Sequence, residues 1–147
     1  MQEDRYSYNK ADSLSYTFIS NGPNGNIKKI VVLEAISDDK CLYNLAFGDL
    51  NKDTGEIDDL AKSNNSDTQK ILSTVAAIAA DFLTRNPNVQ LLATGSTASR
   101  TRLYRIGITR FWNEINTLFE VKGYINAHWE SFQKGKTYNA FLVTRKK

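Results

Sequence analysis

Residues 94–105 read TGSTASRTRLYR. A small polar step followed by basic residues at helical spacing suits a strand-to-helix turn that can hold an anion. The first-turn N–H groups of a helix have no acceptor within it, and the helix dipole places partial positive charge at the same end. Ser96 or Thr97 would cap such a helix. At about 100° per residue, Tyr104, Ile108, Phe111, Ile115 and Leu118 share one face, and Arg100 lies one turn before Tyr104 on that face. A guanidinium turned toward a core needs a partner, because burying the charge alone is costly. The partner is either a bound phosphate or carboxylate, or one of the protein's own acids. Arg102, Arg105 and Arg110 fall on the flank and back of the helix. Gly95-Ser96-Thr97 lacks the second glycine of a nucleophile elbow, and His128, the only histidine, has no evident partner for nucleophilic chemistry.

The available acids cluster upstream, as Asp49, Asp53, Glu56, Asp58, Asp59 and Asp67, against Lys52 and Lys62. GDLNKDTGEIDDL invites comparison with a calcium loop, since Asp49, Asn51 and Asp53 occupy positions 1, 3 and 5. The match then fails: Thr54 stands where the turn glycine belongs, and Leu60 stands where a bidentate Glu belongs. No metal is expected. SNNSD (residues 63–67) caps the first helix or faces a ligand. If the two helix starts lie together, Arg100 meets Asp49, Asp58, Asp59 or Asp67.

These residues need elements to place them. Leu14, Tyr16 and Phe18 alternate with polar residues in SLSYTFIS (13–20), the period of a half-buried strand. NGPNGN turns the chain into a β-branched strand at 27–36, and CLYNLAFGD (41–49) makes a third, with Cys41, Tyr43, Leu45 and Phe47 on one face. Cys41 is read as core. Ser66 and Gln69 have capping-box spacing before a helix with Leu72, Val75, Ala79 and Phe82 on its apolar face, ending at Asn86-Pro87. VQLLAT (89–94) is a strand, and a second helix runs to about Leu118. FEVKGYI is a strand, His128-Trp129 lies in a loop, and TYNAFLVT (137–144) closes the fold. The expectation is α+β: a flexible arm over residues 1–12, then a single domain over 13–147 with an antiparallel meander and two helices, in the order β-β-β-α-β-α-β-β.

A length of 147 residues can bury a real core. The net charge of +3 is too mild to argue for nucleic acid by itself. Lys28, Lys29, Arg145, Lys146 and Lys147 form a basic patch only if their strands adjoin. Tyr16, Phe18, Tyr43 and Phe47 are either base-stacking aromatics or the core face of a sheet. The start, MQEDRYSYNK, is polar, a lone cysteine allows no internal disulfide, and no apolar run has the length of a membrane span. A cytoplasmic location is expected.

YTFISNGPNGNIKKIV, NLAFGDL, the segment from IDDL to SNNSD, the GSTxxRTRLYR stretch and YNAFLV together resemble an uncharacterised family of small bacterial proteins, over Leu14 to Arg145. The resemblance implies one compact domain and supplies no activity. It maps recurring polar positions onto Asp49, Asp58, Asp59, Asn65, Asp67, Ser96, Thr97, Arg100, Arg102 and Tyr104. A looser likeness is to single-stranded nucleic-acid-binding domains of the Whirly and Pur type, though the sequence shows no fourth strand before the first helix. The expected function is a non-enzymatic binding module for single-stranded nucleic acid or another phosphate-bearing ligand, with no cofactor and no membrane partner. The alternatives are a small enzyme acting on a phosphorylated or nucleotide substrate, and a protein-interaction or regulatory partner. With its twelfth ligand missing, the acidic segment should leave thermal melts in calcium and in chelator superimposed; a large upward shift in calcium would overturn that reading.

Overall fold

The structure is a computed structural model and describes residues 4–51, 53–55, 57–58, 65–95 and 97–146. Its strands are β1 (Tyr8–Asp12), β2 (Ser15–Gly22), β3 (Gly25–Ala35), β4 (Leu42–Leu50), β5 (Ile57–Asp58), β6 (Gln90–Ala93), β7 (Phe119–Ile125), β8 (His128–Ser131) and β9 (Ala140–Arg145). Its helices are α1 (Thr68–Arg85), α2 (Ala98–Arg110) and α3 (Trp112–Leu118). All strands join one sheet in the order β1-β2-β3-β4-β6-β9-β7-β8, with β5 paired to β4. Every pairing is antiparallel except β4 with β6.

Period-two alternation builds the core. Register sets Tyr16 beside Val31 and Val31 beside Phe47, then Leu33 beside Leu45, Ala93 and Phe141 in turn. These rows lie on one face and are buried together with Val75, Ile78 and Phe82 of α1 and Tyr104 of α2. Tyr16, Phe18 and Phe47 are thus core and offer no stacking platform.

Several expectations are corrected. Residues 8–12 are not a loose arm but β1. The ring of Tyr8 meets Tyr16 edge-on at 5.8 Å, and Tyr6 stacks on Phe18 at 5.9 Å. Alternation is absent from this polar segment, so its tyrosines carried the only signal. With β1 and the short β5, five described strands precede α1, and all of them pair antiparallel with one another. The second helix is two: the chain leaves α2 at buried Phe111 (φ −102°, ψ 20°) and restarts as α3, which leaves Leu118 exposed. Cys41 is exposed, because it belongs to the turn before β4 and not to the strand. His128 and Trp129 lie in β8 instead of a loop. The capping box does not form: Ser66 takes a left-handed φ of 60° and α1 begins after Asp67. The strands carrying Lys28 and Arg145, β3 and β9, are separated by β4 and β6, and Lys29 is buried, so the basic patch is not assembled. Among the described residues, no helix is long and apolar enough to cross a membrane.

The helix–sheet layer contains a titratable anchor. Tyr16 Oη donates to Asp81 Oδ2 at 3.0 Å, and Arg85 braces the same carboxylate at 3.1 Å. Burial and the bond to Asp81 push the Tyr16 phenol up to about 12. This contribution to stability is complete below the ordinary phenol value of 10.0 and is lost as pH rises through about 12. In ultraviolet titrations, the difference between wild type and Tyr16→Phe should isolate one phenol that ionises near pH 12. A component titrating near an ordinary phenol value would refute the anchor.

Candidate functional site

The quoted arginine stretch folds on itself. Thr97 Oγ1 caps α2 by accepting the Arg100 N–H at 3.2 Å. Thr101 Oγ1 donates to the Thr97 carbonyl at 3.2 Å and accepts the Gly95 N–H at 2.9 Å. A Cβ on residue 95 would lie 2.4 Å from Arg100 Cβ and 2.6 Å from Thr101 N, so the turn closes only with glycine.

From this start the arginines diverge. Half-buried Arg100 turns toward the sheet, its guanidinium carbon 5.0 Å from the centre of the Phe47 ring. Tyr104 follows on the same face, edge-on to Phe47 at 5.7 Å, with its hydroxyl 3.4 Å from the Leu45 carbonyl. Arg102 and Arg105, one turn apart, face a pocket of about 510 Å³ between the start of α2 and the segment 137–139. Thr94, Thr97, Ser99, Thr101 and Thr137 bring hydroxyls to this pocket, and none of its described lining residues is acidic. Arg105 Nη1 donates to Thr137 Oγ1 at 3.1 Å, which holds the guanidinium at the wall. The arrangement is suited to an anion: two cations, one of them held at the wall, small donors and a helix start, with no carboxylate among the described lining residues.

The expected polar residues upstream of α1 go elsewhere. Asn65 is buried at 2% exposure. Its Nδ2 donates to Ser20 Oγ at 3.1 Å and to the Gly25 carbonyl at 2.9 Å, while Oδ1 accepts the Asn24 N–H at 2.7 Å. Asp67 Oδ2 accepts Tyr6 Oη and Ser20 Oγ, both at 2.5 Å, which is why it makes no side-chain cap for α1. Its Oδ1 is buried without a hydrogen-bond partner among the described residues. Burial, and then the bond to Asp67, raises the Tyr6 phenol above its ordinary value. Asp49 pairs across the strands with Lys29, itself only 6% exposed.

The predicted set is therefore divided. Asn65 and Asp67 come together with Tyr6 and Ser20, Asp49 goes to Lys29, Arg100 and Tyr104 gather on Phe47, and Thr97 and Arg102 reach the outer pocket. Asp58 enters through its backbone pairing with Asp49. Asp59 and Ser96 lie outside the described residues. Sequence reasoning missed Arg105 and Thr137 as pocket residues and Lys29 as a buried cation. Arg105 was legible from its three-residue spacing to Arg102. Lys29 was legible from its phase with Val31 and Leu33, which turns an ammonium inward and demands an acid opposite. Thr137, which is distant in sequence, carried no signal.

A family model matches residues 2–146. The chain belongs to DUF6934, a family of unknown function. No curated protein and no solved structure matches it. Membership in DUF6934 assigns no role to any residue, so the site stands on its geometry.

That geometry separates structural from surface polar groups. Asn65→Ala removes three hydrogen bonds from a buried position and should cost about 2–4 kcal/mol. Asp49→Asn takes the carboxylate from a nearly buried ammonium and should cost roughly 3 kcal/mol. Arg102→Ala should stay within about 0.5 kcal/mol, like most surface changes. Urea melts of the three variants test the division, and equal losses would contradict it.

Proposed function

We propose that this protein is a small binding module for a phosphate-bearing ligand, taken in the pocket at the start of α2. The observation that carries the reading is a pocket lined by Arg102, Arg105 and five serine and threonine side chains, with no carboxylate among the described lining residues. Its volume of about 510 Å³ falls in the range of small-molecule sites. Arg102 and Arg105 would bind phosphate oxygens, with Thr97, Ser99 and Thr137 as donors around them. The described lining residues include no histidine, cysteine or carboxylate for acid–base work, which supports binding over catalysis.

Single-stranded nucleic acid is the second reading, since it presents the same phosphate chemistry. It has less support, because Tyr16, Phe18 and Phe47, which would stack on bases, are buried in the core.

Calorimetry at low salt with pyrophosphate, a nucleoside monophosphate and a single-stranded oligonucleotide tests both readings. The expected outcome is saturable binding of the small phosphates, weakened at least about tenfold by Arg102→Ala with Arg105→Ala, the order expected for losing charge-assisted contacts. Binding of the oligonucleotide alone, with a steep salt dependence, would move the reading to nucleic acid. An absence of binding to any of them, or binding indifferent to the double substitution, would end it.

A further inference from the structure

A second, partly open space lies on the other side of α2, between α1, α2 and the sheet. It has a volume of about 90 Å³. Among its described lining residues only Tyr104 has a polar side-chain atom, and that hydroxyl is engaged near the Leu45 carbonyl. A water molecule needs only about 10–15 Å³ but also two or more polar partners, and this wall offers it almost none. The space therefore favours apolar occupants over water.

The side chains around it are small where larger ones would fill the core. Ala76, Ala79 and Ala80 of α1 face Leu103, Gly107 and Ile108 of α2 across it. Gly107 lies inside a 13-residue helix, where glycine is disfavoured. Sterics do not require it: an added Cβ would meet Leu72 at 3.7 Å, an ordinary contact. Helix stability is thus given up at a position that keeps the wall thin. The rim at Ala76, Ala80, Leu103 and Ile108 is half-buried, which leaves a path between the helices.

We propose that this cavity is a binding site for a small uncharged apolar molecule, from about the size of xenon to that of a single six-carbon ring. A charged or hydrogen-bonding ligand would lose its hydration without replacement. Apolar cavities of about 150 Å³ take benzene or xenon, and this space is of the same order. The site is separate from the arginine pocket and does not depend on the phosphate reading.

The test is a titration of the full ¹⁵N-labelled chain with xenon under pressure and with benzene, followed by amide spectra and thermal melts. The expected result is saturable shifts confined to amides around Ala76, Ala80, Leu103 and Gly107, with a raised Tm in benzene. Ala79→Leu fills the space from α1 and should weaken binding at least about tenfold. Leu103→Phe fills it from α2 and serves the same purpose if Ala79→Leu fails to fold. No saturable shift in the wild-type chain, shifts scattered over the open face of the sheet, or undiminished binding in a folded filled variant would each overturn the proposal.

Discussion

Four residue pairs, from Leu42 with Gln90 to Leu45 with Ala93, join the two antiparallel halves of this sheet. They form its one parallel pairing among the described strands, and the rest of the architecture follows from it. Parallel neighbours cannot be linked by a tight turn. The chain must leave the end of β4, cross the sheet and return at the start of β6, and α1 makes that crossing. Its apolar side is thereby pressed onto the faces of β2, β3 and β4, and α2 and α3 cover the remainder.

This crossing explains why so many polar groups are buried near the beginning of α1. Where the chain enters α1, the described residues 65–67 are held to β2 and the β2–β3 turn by hydrogen bonds. Asn65 ties the β2–β3 turn, Asp67 ties Tyr6 and Ser20, and Lys29 with Asp49 closes the neighbouring strands. A buried polar network of this kind stabilises little beyond its own desolvation, but it admits few alternative arrangements. The N-terminal tyrosines belong to the same lock, since Tyr6 also donates its N–H to Thr74 in the middle of α1.

α2 divides the chemistry. Its inner face packs Arg100 and Tyr104 onto Phe47, and its outer face carries Arg102 and Arg105 to a pocket closed by residues 137–139. One helix thus supports the core and presents cations to solvent. The phosphate reading uses only the outer face, while the apolar cavity uses the seam with α1.

The sequence by itself determined the periodicities. Alternation placed the strands from Tyr16 to Phe47, helical spacing placed the buried face of α1 and the turn from Tyr104 to Ile115, and a cap at Ser96 or Thr97 was legible because capping is a local geometry, with the structure deciding for Thr97. It also divided the arginines, since angle along a helix follows from position alone. Only the tertiary structure decided which acid meets which base. Arg100 of α2 meets Phe47 on the sheet and Asp49 meets Lys29 across β3 and β4, and a pairing between distant segments is not written in either one. The same holds for β1, which has no alternation and exists because Tyr6 and Tyr8 find rings to pack on. The break at Phe111 and the exposure of Cys41 also depend on where neighbouring elements end. Local propensity acts within a few residues, whereas burial is a property of the assembled sheet and helices, so the candidate pocket at Arg102, Arg105 and Thr137 appears only once β9 brings Thr137 to the start of α2.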